Sequence, residues 1–140
     1  MGHCETFDHT ADLGLRLEGN DLADLFETAA AGLFDAIVVN RDAVRESESE
    51  SISLTAESVP DLFLAWLNEL IFQSETRHRL YRAFRVRVDE SSPRLEATIA
   101  GEPIDRDRHI LDHEVKAATH HGLTVRRVDQ GWLAEVVLDI

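Results

Sequence analysis

Residues 21–38 read DLADLFETAAAGLFDAIV, and this stretch sets the fold class. Leu22, Leu25, Phe26, Ala29, Ala30, Leu33, Phe34 and Ile37 recur at steps of three and four, so one apolar face runs along a helix. Asn20 or Asp21 can cap its N-terminus through a side-chain oxygen. A second helix is predicted over about Val59 to Phe72. Val59, Leu62, Phe63, Trp66, Leu67, Leu70 and Ile71 line one face of it. Ser58 and Asp61 form a Ser-x-x-Asp variant of the capping box, and Pro60 sits in the first turn, where its missing N–H costs little. Stripes of this kind are core faces in the ordinary case, and neither is read as a cofactor pocket.

Outward from the helices the period changes from 3.6 to two. Leu13, Leu15 and Leu17 alternate with Gly14 and Arg16, Phe84, Val86 and Val88 with Arg85 and Arg87, and Leu95, Ala97 and Ile99 follow a Ser91-Ser92-Pro93 turn. Glu46-Ser47-Glu48-Ser49-Glu50-Ser51 runs directly into Ile52 and reads as the polar start of an exposed strand. Ile110 to His120 is predicted as a longer strand. Leu123 to Val128 pairs with Trp132 to Leu138 across Asp129-Gln130-Gly131, a hairpin with glycine available for positive φ. The expectation is an α+β fold. It is a two-layer sandwich of a mostly antiparallel mixed β-sheet, with the two amphipathic helices packed on one face. No repeat or linker interrupts residues 1–140, so one domain is expected over the whole length.

Composition narrows the function. Asp and Glu number 27 against 14 Lys and Arg, for a formal net charge of −13. Such a surface repels RNA, because non-specific nucleic-acid affinity comes from basic groups that release counterions. It favours a cation or a basic protein partner. The single lysine is Lys116. The single cysteine, Cys4, permits no internal disulfide and fits a reducing, cytoplasmic setting. No apolar run reaches the roughly 18 residues a membrane span needs, and the N-terminus lacks the marks of a signal peptide. Met1-Gly2 with Thr6 fits a loose myristoylation pattern, to which His3-Cys4-Glu5 adds no support.

Enzyme signatures are missing. There is no glycine-rich phosphate loop and no Gly-x-Ser-x-Gly elbow. His113-Glu114 starts like a zinc-protease motif, but Ala117 stands where the second histidine belongs. Asp105-x-Asp107 starts like an EF-hand loop and fails at Ile110 and Lys116. Three places remain. Asp8-His9-Thr10-Ala11-Asp12 can present oxygens to a hard cation, and equally reads as a turn whose side chains satisfy local backbone groups. Leu138-Asp139-Ile140 sets an acid beside the α-carboxylate, which is costly without a neutralising group, and equally reads as a solvated chain end. The third place runs from Gly101-Glu102-Pro103 through His109, His113, Glu114, Lys116, Thr119 and His120. On an extended strand His109 and His113 would share a face, so a zinc site with Cys4 can be drawn, although the spacing does not demand it.

Taken in order, these fragments resemble the archease family. The matching stretches are His9-Thr10-Ala11-Asp12, Trp66-Leu67-Asn68-Glu69-Leu70, Gly101-Glu102-Pro103, His109, Glu114-Val115-Lys116-Ala117, Thr119-His120, Trp132 and Asp139-Ile140. The resemblance implies an α+β sandwich that acts, without catalysis of its own, as a protein cofactor of an RtcB-type RNA ligase in tRNA splicing. The ligase uses GTP and manganese, forms a guanylylated histidine, and turns over repeatedly with archease present. The resemblance also implies a divalent cation, calcium, held by Asp12, Asp139 and Ile140, the last through its carbonyl or carboxylate. RNA is then met only through the ligase. Two other readings stand beside it: a metal-dependent hydrolase using Asp12, Asp139 and His9, and a general chaperone.

Overall fold

A computed structural model of the chain describes residues 2–9 and 12–140, the side chains of Asp8 and His9 excepted. The elements run β1 (His3–His9), β2 (Asp12–Gly19), α1 (Leu22–Ile37), a 3-10 turn (Arg41–Ala43), β3 (Glu48–Thr55), α2 (Val59–Arg77), β4 (Arg79–Asp89), β5 (Arg94–Pro103), β6 (Ala117–Val128) and β7 (Gly131–Asp139). The fold is α+β, as expected. Its strands form two sheets rather than one, in the orders β1-β2-β7-β6 and β3-β5-β4, and every pairing is antiparallel. The helix layer bridges them, since α1 packs on β2 of one sheet and β4 of the other, while α2 packs chiefly on β6.

Local chemistry accounts for the helix ends. Asp21 caps α1 by accepting the Asp24 N–H at 2.8 Å, and Asp24 accepts the Asn20 N–H in return. The C-terminal carbonyls of a helix have no partners of their own. Here Ala36 and Ile37 accept N–H groups from His113 (3.0 Å) and Asp112 (2.8 Å), and the Val39 N–H donates to Ile110. The strand predicted from Ile110 is corrected on this ground. Within this segment the Asp112 and His113 N–H groups go to α1 carbonyls and the Ile110 N–H to the Asn40 side chain, and regular pairing starts only at Ala117.

Helix α2 is capped by Ser58, as read, but runs five residues past Phe72. Its apolar stripe ends there. The last turns are held instead by polar side chains, Gln73 to Glu69 and Thr76 to the Phe72 carbonyl, until His78 turns left-handed at φ 55°. The acidic start of β3 also has a structural use. Glu50 takes hydrogen bonds from Arg79 (2.7 Å), Arg77 and the Tyr81 hydroxyl (2.6 Å). Burial, and then this bond, push the Tyr81 hydroxyl above its ordinary pKa.

One contiguous apolar cluster fills the interior. Phe26 and Phe63 meet edge to face at 5.2 Å across the helix pair. Trp66 is fully buried and donates its indole N–H to the Phe26 carbonyl at 2.9 Å, tying α2 to α1. At the β6–β7 turn Gly131 has φ 150°, and a Cβ there would lie 2.1 Å from the Gly19 carbonyl oxygen. Only glycine fits the hairpin read from the sequence.

Candidate functional site

The end of the four-stranded sheet is where the expected residues meet. In register, His9 pairs with Asp12, Asp12 with Asp139, and Asp139 with Ala117. Directly opposed residues share a face, with their Cβ atoms about 4.5–5.5 Å apart. Asp12 and Asp139 are therefore neighbours on one face, while Leu138 and Ala118 point into the core on the other. Both acids and Ile140 are half-buried. Residues 12 and 139 are far apart in sequence, and only the β2–β7 pairing joins them.

Beta sheets seldom oppose two carboxylates directly, because the like charges repel. The donors here, two carboxylates beside the Ile140 backbone, are hard oxygens of the kind that bind calcium or magnesium. A divalent cation fits that chemistry. Asp12, Asp139 and Ile140 would hold it. Among the described residues no three His, Cys, Asp or Glu side chains come together as a metal cluster. Thr10 and Ala11, and the side chains of Asp8 and His9, lie outside the described residues.

The third place named from the sequence proves to be a brace. Glu102 is buried at 5% exposure and accepts the Arg45 N–H (2.7 Å), the His109 Nε2–H (2.9 Å) and the Arg108 guanidinium. The ring of His109 is spoken for at both nitrogens, since its Nδ1 accepts the Asp105 N–H at 2.9 Å. That fixes the neutral tautomer with the proton on Nε2. The zinc site drawn with His109, His113 and Cys4 does not form. His113 and Cys4 line a cavity of about 310 Å³, but His109 faces Glu102. Burial, followed by the nearby carboxylates of Asp35 and Glu5, pushes the Cys4 thiol up to about 11, away from thiolate chemistry. The acid pair Asp105 and Asp107 closes a turn, Asp105 accepting the Asp107 N–H and the Arg108 guanidinium. His120 lies 3.7 Å from Asp61, and the Lys116 N–H donates to the Asp139 carbonyl at 2.8 Å.

Burial alone would raise the Glu102 carboxyl, but its N–H donors outweigh that and hold it at about 2, against a usual 4.5. A folded pKa below the unfolded one gives stability that is full above the usual value and lost as pH falls toward the folded one. Glu102→Gln should therefore lower stability at neutral pH by about 2 kcal/mol. Its penalty should shrink between pH 4.5 and about 2, as urea unfolding at several pH values will measure.

Sequence reading gave no role to Asn68, which the structure makes prominent. Its amide donates to the Ala118 carbonyl (3.1 Å) and accepts the Ala118 N–H (2.9 Å). The signal in the sequence was an amide one step off the apolar stripe, directly after Trp66-Leu67.

Comparison with known proteins agrees with this framework. Residues 4–140 match the model of the Archease protein family. The chain is 33% identical over 143 residues to the protein archease of Pyrococcus abyssi, covering all of both chains. It is 36% identical over 138 residues to that of Methanopyrus kandleri, covering 97% of this chain and 98% of the relative. A Methanobacterium thermoautotrophicum protein solved in solution superposes with a TM-score of 0.85 at 34% identity, over 98% of each chain. A Thermotoga maritima crystal structure, described as an archease and possible chaperone, shares the fold with a TM-score of 0.67 at 21% identity, over 97% of this chain and 96% of its own. With the family model spanning nearly the whole chain and full-length relatives above 30% identity, the chain belongs to the archease family.

Proposed function

We propose that this protein is a non-catalytic cofactor that activates an RtcB-type RNA ligase, and that Asp12, Asp139 and Ile140 hold a divalent cation at the surface it presents. The observation that carries the reading is the direct cross-strand pairing of Asp12 with Asp139 on a chain of net charge −13. Calcium is the resident ion, with manganese an alternative when the ligase supplies it. Bound there, the cation neutralises the paired carboxylates and offers a positive centre to an anionic group such as a nucleotide phosphate. The chain's net negative charge suits a basic cleft in the ligase, and RNA is met only through that partner. The setting is cytoplasmic, without a membrane role. Among the described residues no helix is long and apolar enough to cross a bilayer.

The test is direct. Purified protein mixed with an RtcB-type ligase, GTP and manganese should raise the fraction of guanylylated ligase, and Asp12→Ala or Asp139→Ala should remove that gain. Full activation by both variants would refute the role given to the paired acids. Turnover of generic phosphoesters by the isolated protein with added metal would favour a hydrolase instead. One observation favours a chaperone-like role. Val39 and Ile110 are 60% and 58% exposed and are joined by a backbone hydrogen bond. Suppressed aggregation of unrelated proteins would support that reading.

A further inference from the structure

The ladder that brings β6 to the paired acids is short. Only Ala117, Ala118 and Thr119 pair regularly, with Asp139, Leu138 and Val137, before the register shifts on the way to Thr124. Gly122, at φ 71°, lies within that irregularity. On the other side lies the loop that caps α1, which contributes no ladder bonds to β7 beyond the Lys116 N–H to Asp139. Three pairs between a loop and a bulge form a weak ladder. β6 is also the edge strand of its sheet, so the outer N–H and C=O of this piece lack a neighbouring strand.

Asn68 fills that gap. Its side-chain amide reproduces a strand's donor and acceptor, binding both backbone groups of Ala118 from a rigid helix. Trp66, two residues earlier, fixes that helix to α1. Ala118 adjoins Ala117, the residue opposite Asp139. We infer that Asn68 is a positioning residue for the candidate cation site: through Ala118 it holds the Lys116–Thr119 segment, and so the end of β7, at the spacing that sets Asp139 beside Asp12. This inference rests on the cation reading above.

Calcium titrated into the full chain by calorimetry decides the matter. Asn68→Ala should weaken calcium binding by about tenfold or more, the usual cost of losing a residue that orients a metal ligand. Asn68→Gln keeps both amide groups, neutral, on a side chain one methylene longer. It should weaken binding to a lesser degree, and it decides the question if the alanine variant fails to fold. Tyr81→Phe removes the hydroxyl's hydrogen bond to Glu50 in the other sheet, and should leave calcium affinity unchanged although it lowers thermal stability. If Tyr81→Phe weakens calcium binding as much as the Asn68 variants do, Asn68 acts only through general stability and the inference is overturned. Unchanged affinity in folded Asn68 variants, with binding lost in Asp12→Asn, overturns it as well while leaving the cation reading intact. Unchanged affinity in Asp12→Asn itself removes the cation reading, and the inference with it.

Discussion

Trp66→Ala is expected to cost about 3–5 kcal/mol, the range for emptying a large aromatic site in a packed core. The side chain is fully buried and belongs to the cluster that joins the helices to both sheets. Its neighbours Phe26 and Phe63 are locked edge to face and have little freedom to close over the void. Loss of the indole N–H to the Phe26 carbonyl adds about 1 kcal/mol to the packing loss. For a domain of this size the melting temperature should fall by roughly 12–18 °C. Thermal unfolding followed by circular dichroism measures it. A fall of only a few degrees would mean that the helices are not tied together through Trp66. Because α2 also carries Asn68, the same variant should loosen the paired-acid end of the sheet, visible as faster hydrogen exchange at Ala118.

The second large effect concerns the cation. A ligand that binds only the native state stabilises it by RT ln(1 + [L]/Kd), which is about 2.7 kcal/mol at a hundredfold excess over Kd. Calcium should therefore raise the melting temperature by roughly 8 °C. Asp139→Asn and Asp12→Asn should each abolish that rise, since each removes one of the two opposed carboxylates. Screening must be separated from binding, because any salt relieves self-repulsion in a protein of net charge −13. Two controls do this. Sodium chloride at matched ionic strength should give a smaller rise, and Glu90→Gln, on an exposed carboxylate paired with Arg127, should keep the calcium increment. If calcium moves the wild-type melting temperature no more than sodium does, the site does not bind it.

These expectations differ in how far they were legible before the structure. Helix α1 and most of α2 were readable because burial imposes a 3.6-residue period on each helix, and Asp21, Ser58 and Pro60 mark the starts. The β6–β7 hairpin was readable because Gly131 is the residue its turn requires. The end of α2 was not, since Gln73–Arg77 has no apolar stripe and is held by side-chain hydrogen bonds. Residues 110–116 were misread as strand because nothing local shows that the Asp112 and His113 N–H groups belong to the carbonyls of α1.

The sequence by itself determined the element types, the acidic character, the absence of familiar catalytic motifs and the family resemblance, all of which depend on composition and short-range order. It named Asp12 and Asp139 separately, each with a plainer reading beside it. Only the tertiary structure decided that the two oppose each other, because strand pairing between distant segments leaves no periodic trace in either one. It also decided that Glu102 and His109 brace a loop, and that Asn68 completes the edge of β6. Those are matters of which polar group finds which partner once the core has closed.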